Sequence, residues 1–334
     1  MSHHLSEEQL QQFKNEGLLV VEDVLSSTET DAVLKDCEHR LDEVAALYHD
    51  LGVIDDPMVT SSFAERYTAL AGKVPGFFEH LDITLPLVLE MPEDAPYYAS
   101  PAVFDIITNE KILDIAESIL GSEISSNPVQ HVRIKPPEIA LTDEINASSY
   151  IGRTTWHQDM GALLDEAIDS NILTVWVAIT DAQVENGCLL AIPESHKTAD
   201  PHFAMHCPGA SIKAENYIPG RELAPGERRA LPVRKGSLVL FNPYTQHCAL
   251  PNKSDQLRFS LDLRYNVAGQ ASGRPAFPSF VARSRSAPET ELRNAREWDK
   301  LWSDAREALV SGTCPYPVYE SDRWAKFAAH PLCA

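Results

Sequence analysis

Apolar residues at helical spacing mark the beginning of the chain. Residues 6–16 open with Ser-Glu-Glu-Gln, the form of a helix capping box, and Leu10 and Phe13 follow on one helical face. Gly17 is predicted to end this helix. The other elements predicted for this part are a strand at 18–25, a helix at 28–50 and a mostly helical region at 60–120, interrupted by prolines at 92–101.

From about residue 128 the pattern changes to short β-rich runs separated by Gly, Pro, Asn and Asp. The runs are NPVQHVRIKPP, NILTVWVAIT, CLLAIPES, GSLVLFNPY and QLRFSLDLRYN. No helical pattern lies between them, so repeated β-α-β units are not favoured, and a jelly roll of two antiparallel sheets fits better. The predicted fold class is therefore mainly β with flanking helices, around a double-stranded β-helix (cupin-like) core.

No flexible linker separates the helical and β-rich parts, which predicts a single domain over residues 1–334. A chain of this length can bury a sizeable core. Within the domain we expect a mostly helical part at 1–125, a jelly-roll core at 126–268, and a C-terminal loop and helix at 269–334, with the helix itself at 289–310.

Composition and charge exclude several classes of partner. No run of 18 apolar residues and no apolar signal core occur, so we expect neither a membrane span nor secretion. The 49 acidic residues outnumber 28 basic ones, and the net charge of −21 disfavours nucleic acid and anionic membranes as partners. The six cysteines have no paired spacing, which predicts free thiols and a cytoplasmic, reducing location. A monomer or homodimer is expected.

The stretch TTWHQDMG holds the first candidate chemistry, His157 and Asp159. On a strand, residues i and i+2 point to one side, so both would face the same space while Gln158 faces away. A second imidazole could come from His247, which follows the apolar run 238–241. Two histidines and one carboxylate that leave three coordination positions open are typical of non-haem Fe(II) oxygenases. The alternative is that His157 and Asp159 are a hydrogen-bonded loop pair.

A second feature is the alternating run QLRFSLDLRYN. Its polar face carries Arg258, Ser260, Asp262 and Arg264. A guanidinium that faces a cavity could pair in a two-pronged way with a carboxylate on a small ligand. The alternative is an internal ion pair between Arg258 and Asp262.

Together, His157, Asp159, His247 and Arg258 resemble the HxD…H…R pattern of Fe(II)- and 2-oxoglutarate-dependent oxygenases. The flanking segments resemble the phytanoyl-CoA dioxygenase family over about residues 6–285, more weakly at 50–125. These segments are LSEEQLQQFKNEGLLVVEDVLS, TTWHQD, LTVWVAITDAQVENGCLLAIPESH and RFSLDLRY. The chain departs from the family at Cys248-Ala249, where a Gly-Ser pair is common.

The resemblance implies a set of cofactors and a reaction. His157, Asp159 and His247 would hold Fe(II), and the far carboxylate of 2-oxoglutarate would lie on Arg258, with Arg264 as second candidate and Trp176 as pocket wall. O₂ would complete the set, and 2-oxoglutarate would be converted to succinate and CO₂ while a C–H bond of a small molecule or secondary-metabolite intermediate is hydroxylated. Asp159 disfavours halogenation, because halogenating relatives have a small residue there.

Two other classes of function stay open from the residues alone. One is a jelly-roll metalloenzyme such as a hydrolase or isomerase that uses the same ligands with another metal. The other is a protein that binds 2-oxoglutarate without turnover. Metal content, O₂ requirement and turnover would separate these classes from an oxygenase.

Substrate contacts are predicted on two segments. Along NPVQHVRIK, alternation puts His131 and Arg133 on one face and Gln130 on the other, and whichever face looks inward would touch substrate. Met160 would border the substrate if the chain bends at Asp159. The region 50–125 and the loop after 268 are the expected lid.

Several other polar residues have a structural interpretation. A second HxD motif, His80-Leu-Asp82, lies in a region predicted to be helical and has no downstream partners. His196 is expected to support the barrel rim. Arg283 and Arg285 would lie at the lid entrance or form a solvated charge pair.

Overall fold

Two antiparallel sheets form the centre of the protein. The computed structural model describes residues 3–74, 76–142, 151–152, 154–198, 204–209, 216–318 and 324–333. The larger sheet has the order β1-β7-β4-β9-β2-β10, with β3 also paired to β9, and the smaller has the order β6-β5-β8. Their strands are β1 (Leu18–Val21), β2 (Glu123–Ser126), β3 (His131–Lys135), β4 (Ile172–Ala178), β5 (Leu189–Ala191), β6 (Arg229–Leu231), β7 (Leu238–Phe241), β8 (His247–Ala249), β9 (Arg258–Val267) and β10 (Phe280–Ser284).

Six α-helices flank the sheets within the described residues. One hydrophobic core cluster, which includes residues from Leu5 to Val318, joins them to the larger sheet. The helices are α1 (Glu7–Glu16), α2 (Ser27–Asp50), α3 (Phe63–Lys73), α4 (Pro101–Ile107), α5 (Glu110–Leu120) and α6 (Ala295–Val310). Among these helices none is long and apolar enough to cross a membrane.

The fold confirms the predicted jelly-roll class and most of the predicted elements. The capping box at Ser6 is present, and Gly17 ends α1 with a φ of 73°, in the left-handed region that glycine adopts easily. The first strand stops at Val21, short of the predicted residue 25. The last helix begins after the cap Asn294 instead of at 289, because residues 288–290 form a separate 3₁₀ turn. Strands β2, β6, β8 and β10 were not predicted, and β6 and β8 have three residues each.

The prediction of six free thiols is wrong for two of the cysteines. Cys207 and Cys333 form a disulfide, with Cα atoms 5.4 Å apart, and the other four cysteines are free. The two partners are 126 residues apart in sequence, so no local spacing signals the pair. They meet because the C-terminal segment lies beside residues 204–209.

Arg283 is not at a cavity entrance. Its side chain is buried and its Nη1 donates to Asp114 and Glu117 on α5, at 2.8 Å in each case, so that it ties β10 to that helix. Arg285 is half exposed and pairs with Glu117 alongside it. Arg283 therefore has a structural role, and only Arg285 resembles the solvated charge that the sequence suggested.

Glu29 connects two helices of the first part. It stands at the third position of α2, where its carboxylate accepts hydrogen bonds from the backbone and hydroxyl of Ser26. The same carboxylate pairs with Lys111 at 2.8 Å and accepts a hydrogen bond from Asn109 at 2.8 Å, both at the start of α5. Burial opposes ionisation, but the hydrogen bonds from Lys111, Ser26 and Asn109 prevail and lower the pKa of Glu29 to about 2.

We expect Glu29→Gln to remove part of the acid dependence of folding. A carboxyl whose folded pKa is lowered stabilises the protein fully above its unfolded pKa, and this stabilisation is lost as pH falls towards the folded value. The wild-type protein should exceed Glu29→Gln by about 2 to 3 kcal/mol in unfolding free energy at pH 6. The difference should shrink steadily from pH 5 towards pH 3, as measured by urea unfolding.

Glu65→Gln is the matched control, because Glu65 occupies the same capping position on α3 without a salt bridge within the described residues. The unfolding free energy of Glu65→Gln should follow the pH dependence of the wild type more closely than that of Glu29→Gln does. A Glu29→Gln difference that stays constant between pH 6 and pH 3 would contradict the assignment of this pKa.

Candidate metal centre and its cavity

His157 and His247 are brought together by their own backbones. Each backbone N–H donates to the carbonyl of the other at 3.0 Å, which forms an isolated antiparallel bridge at the first residue of β8. The two imidazole rings consequently lie on the same side of the bridge, with centroids 4.3 Å apart. Two residues that are 90 positions apart in sequence thus provide the two imidazoles of one site.

Hydrogen bonds orient both imidazoles in the same way. The Nδ1 atom of His157 lies 2.8 Å from the carbonyl oxygen of Thr155, and that of His247 lies 3.0 Å from the carbonyl oxygen of Thr245. A carbonyl can only accept, so each Nδ1 carries the proton and each Nε2 presents a lone pair, as metal-binding histidines do. Burial, and then the neighbouring His157, lower the pKa of His247 to about 4, which keeps it neutral near pH 7.

Asp159 supplies the third ligand atom from a turn and not from a strand. A 3₁₀ turn, Asp159–Ala162, begins where the predicted strand would have continued. Even so, Asp159 Oδ1 lies 3.7 Å from His157 Nε2 and 4.0 Å from His247 Nε2. The side chains of all three residues offer ligand atoms within 4.8 Å of one another.

Two residues on neighbouring strands hold the Asp159 carboxylate. Thr174 on β4 and Arg264 on β9 are directly opposite each other in the sheet. The hydroxyl of Thr174 donates to Oδ2 at 2.6 Å, and Nη2 of Arg264 donates to Oδ1. Burial opposes ionisation of Asp159, but the charge of Arg264, the two imidazoles and the Thr174 hydrogen bond keep its pKa well below the usual range.

This donor set fits a transition metal of the Fe(II) type. Two imidazole nitrogens and one carboxylate converge on one space, as in the two-histidine, one-carboxylate facial arrangement. The only other metal-capable cluster within the described residues, His4, Asp114 and Glu117, lies near the surface, and Arg283 occupies both of its carboxylates. The buried set, which could hold a metal ion, consists of the three residues that the sequence suggested as ligands.

Arg258 faces the same cavity without a carboxylate partner among the described residues. Its Nη1 donates to Ser260 at 2.6 Å, its guanidinium lies 5.4 Å from the ring centroid of Trp176, and its Nε has no hydrogen-bond partner there. Burial lowers its pKa to about 10, so it stays charged at neutral pH. Asp262 pairs with Arg133 Nε at 3.1 Å, so the internal pair with Arg258 is not formed. A buried cation of this kind needs an anion.

Arg264 has a different task from Arg258. Besides Asp159, it donates from Nη1 to the carbonyl of Val129 at 2.6 Å. Both contacts fix the metal-binding carboxylate in place. Arg258, by contrast, has no carboxylate partner among the described residues, and Trp176 forms the cavity wall beside it.

The predicted substrate contacts divide into two groups. Arg133 lines the cavity together with His131, so the face of β3 that carries them looks inward. Gln130 is buried and is not one of the lining residues. Met160 is also buried away from the cavity, in a small apolar cluster with Val129 and Leu163.

Gln158 is not an outward-facing spacer, which corrects the strand-based expectation. It is buried, lines the cavity, and accepts a hydrogen bond from Ala204 N–H at 2.9 Å through Oε1. Its Nε2 donates to the carbonyl of Tyr244 at 2.7 Å. The 3₁₀ turn at Asp159 ends the alternation on which the prediction relied.

Other lining residues carried no signal in the sequence. They come from segments with no strand pattern, and only the fold brings them to the cavity. Both predicted lid regions contribute, through Leu87 and Arg274. The unpredicted lining residues include Leu87, Thr154, Gly161, Ala162, His206, Asn216 and Arg274.

The polar residues that we expected to have structural roles make hydrogen bonds away from the metal cluster. Asp82 accepts hydrogen bonds from Nδ1 of His131 at 2.7 Å and from the backbone of Val132 at 2.9 Å, so it supports β3. His196 lies against the end of α1, with its Nε2 3.3 Å from the carbonyl of Lys14. Neither belongs to the metal cluster.

Comparison with known sequences identifies relatives over most of the chain. The sequence model described as Phytanoyl-CoA dioxygenase (PhyH) matches residues 13–260. "Phytanoyl-CoA dioxygenase domain-containing protein 1" of Danio rerio is 27% identical over 267 residues, which cover 76% of this chain and 87% of the relative. "Methylphosphonate hydroxylase" of Gimesia maris is 27% identical over 187 residues, or 55% of this chain and 62% of that protein.

Solved structures share the fold at low sequence identity. The non-heme monooxygenase ThoJ superposes with a TM-score of 0.56 at 18% identity, covering 91% of this chain and 97% of its own. The non-heme alpha ketoglutarate dependent carbocyclase SnoK from nogalamycin biosynthesis superposes with a TM-score of 0.51 at 19% identity, covering 88% and 96%. These likenesses confirm the jelly-roll architecture.

We expect Thr174→Val to weaken metal binding without unfolding the site. Valine keeps the shape of threonine but removes the hydrogen bond that orients Asp159. Loss of such a supporting contact typically lowers metal affinity about 10-fold or more. Calorimetric titration with Ni²⁺ under anaerobic conditions measures this directly.

Thr180→Val serves as the matched control, because the Thr180 hydroxyl accepts from Phe259 N–H at 2.9 Å and has no contact with the ligands. Equal Ni²⁺ affinities of the two variants would show that Thr174 does not position Asp159.

Proposed function

The chain belongs to the phytanoyl-CoA dioxygenase family, and from that premise we propose that it is an Fe(II)- and 2-oxoglutarate-dependent dioxygenase that hydroxylates a C–H bond of a small molecule. One observation carries the proposal. The buried metal-binding set of His157, Asp159 and His247 shares a cavity with Arg258, a buried guanidinium that lacks a carboxylate partner in the described structure. A metal-chelating dicarboxylate would satisfy both at once.

The three ligands have defined roles in this reaction. Nε2 of His157, Nε2 of His247 and a carboxylate oxygen of Asp159 would hold Fe(II). When bound, the iron supplies O₂ activation coupled to decarboxylation of 2-oxoglutarate to succinate. The protein holds the His247 imidazole neutral and the Asp159 carboxylate ionised, so these two ligands are prepared for a cation at neutral pH.

Arg258 would hold the far carboxylate of 2-oxoglutarate. A planar guanidinium matches a carboxylate in two-pronged geometry, and burial strengthens the charge-assisted hydrogen bonds. Cys248-Ala249 lacks the hydroxyl that the family often places after the second histidine. Ser260, whose Oγ already lies 2.6 Å from Arg258 Nη1, offers a hydroxyl in its place.

The cavity favours a small substrate that has both polar and apolar groups. Beyond the ligands it is lined by the Arg133–Asp262 pair, His131 and Arg274, together with apolar side chains such as Leu87, Val129 and Phe241. The relative named methylphosphonate hydroxylase is consistent with a small-molecule substrate. Leu87 and Arg274, from the two predicted lid regions, would border the substrate.

The proposal is tested by succinate formation from 2-oxoglutarate in the presence of Fe(II) and O₂. We expect formation to stop when iron is chelated or when Asp159 is replaced by Ala. Arg258→Ala should raise the half-saturating 2-oxoglutarate concentration about 30-fold or more, because loss of a buried charged partner costs about 2 kcal/mol or more. Arg258→Lys should recover part of this loss.

Arg234→Ala controls for removal of a cation, since Arg234 lies on the surface beside Asp23. Succinate formation that needs neither O₂ nor the three ligands would overturn the oxygenase proposal. An unchanged 2-oxoglutarate requirement in Arg258→Ala would move the carboxylate to Arg264.

A further inference from the structure

The C-terminal strap, defined as residues 324–333, lies outside the part of the chain that matches the family. The family match ends at residue 260. The strap is a series of turns, and its Cys333 forms the disulfide with Cys207 in the segment 204–209. The partner Cys207 is buried, and Cys333 is partly exposed. One covalent bond therefore anchors this end of the chain to the cavity region.

The strap packs directly on a residue of the cavity wall. Trp324 stacks on the ring of His206, with centroids 4.8 Å apart and an angle of 28° between the rings. Both side chains are buried, and His206 lines the cavity. Because His206 precedes Cys207 in sequence, the disulfide and the ring stack hold the same short segment from two sides.

This segment is hydrogen bonded to the residue between two metal ligands. Nδ1 of His206 lies 2.8 Å from the carbonyl of Ala204, so it carries the proton and Nε2 is an acceptor. The backbone N–H of Gln158 points to that Nε2 at 3.4 Å, and Ala204 N–H donates to Gln158 Oε1 at 2.9 Å. Gln158 lies between His157 and Asp159 in sequence, so these hydrogen bonds help to fix the backbone position of both ligands.

The turn that carries Asp159 also touches His206. A Cβ atom at Gly161 would lie only 3.3 Å from His206 Nε2, tighter than ordinary contact, so a side chain here would press on the imidazole. Glycine permits this close approach. A continuous path of contacts thus leads from the disulfide, through Trp324 and His206, to the turn Asp159–Ala162.

We propose that the C-terminal strap is a redox-sensitive brace, with His206 and Gln158 as the positioning residues through which it holds the metal-binding turn. The inference rests on the proposed function only in taking His157, Asp159 and His247 as metal ligands. A dithiol reductant breaks the Sγ–Sγ bond of Cys207 and Cys333, supplies two electrons and two protons to form two thiols, and is itself oxidised to a disulfide. A small-molecule disulfide oxidant reverses the reaction by thiol–disulfide exchange.

If the strap braces this turn, the oxidised protein should bind metal more tightly than the reduced protein. Release of Cys333 leaves the segment 204–209 held by non-covalent contacts alone, which include the stack of Trp324 on His206 and the backbone hydrogen bonds between Cys207 and Tyr217. The turn at Asp159 then samples more conformations, and the ligands lose part of their preorganisation. Loss of such support typically weakens metal affinity about 10-fold.

The experiment compares full-length wild type, oxidised and reduced, with Cys333→Ser, using Ni²⁺ as the probe. Thiol titration of the denatured protein should find four thiols before reduction and six after it. Ni²⁺ affinity should fall about 10-fold on reduction and in Cys333→Ser, which should not respond to reduction further. Amide hydrogen exchange over residues 156–162 should rise in the same two cases.

Two further variants separate positioning from general destabilisation. Cys314→Ser removes a free, partly exposed thiol of the same C-terminal part and should behave as wild type. Trp324→Ala should reproduce the effect of reduction on exchange over 156–162, whereas Trp324→Phe, which keeps a stacking ring, should restore most of the protection.

The outcomes distinguish the strap from the metal centre. If oxidised wild type binds no Ni²⁺ in a way that depends on His157, the proposed metal centre fails, and exchange over 156–162 still decides whether the strap braces the turn. If six thiols titrate without reductant, or if affinity and exchange are the same in oxidised and reduced protein, the strap inference is overturned.

Discussion

The burial of an ionised carboxylate at Asp159 is the constraint on which the site depends. A charge in this position is stable only if the surrounding structure compensates for its lost hydration. Arg264 and Thr174 provide that compensation from adjacent strands, so the register between β4 and β9 is tied to the chemistry. A shift of one residue in either strand would turn its side chain, Thr174 or Arg264, to the other face and remove that part of the compensation.

Strand β9 distributes its polar residues among separate tasks. Arg264 pairs with Asp159, Asp262 pairs with Arg133 on β3, and Arg258 has no carboxylate partner among the described residues. The sequence shows that these polar residues alternate along β9. It does not show which partner each of them has, because the partners lie on other strands or on a turn. The pairing of β3 with β9 brings Arg133 beside Asp262. Because Asp262 pairs with Arg133, it does not pair with Arg258.

The sequence predicts those parts of the site that depend on strand alternation. The expectations for His157 and for the polar face of Arg258 rest on period-two patterns, and that for His247 rests on its place after the apolar run at 238–241. The N-terminal elements follow from caps and helical spacing. The prediction ends where the chain leaves regular structure. The 3₁₀ turn at Asp159 moves Gln158 inward and Met160 away from the cavity, and the pairing of Cys207 with Cys333 spans 126 residues without a local signal.

The mutual backbone bonds of His157 and His247 have a consequence for how such a site can diversify. The bridge is made by peptide groups alone, so its existence does not depend on which side chains project from it. A lineage could therefore exchange an imidazole for another donor, or abandon metal altogether, and keep the junction between β8 and the segment before the turn. In this fold the ligand side chains can therefore change in evolution while the backbone bridge that joins the two segments is kept.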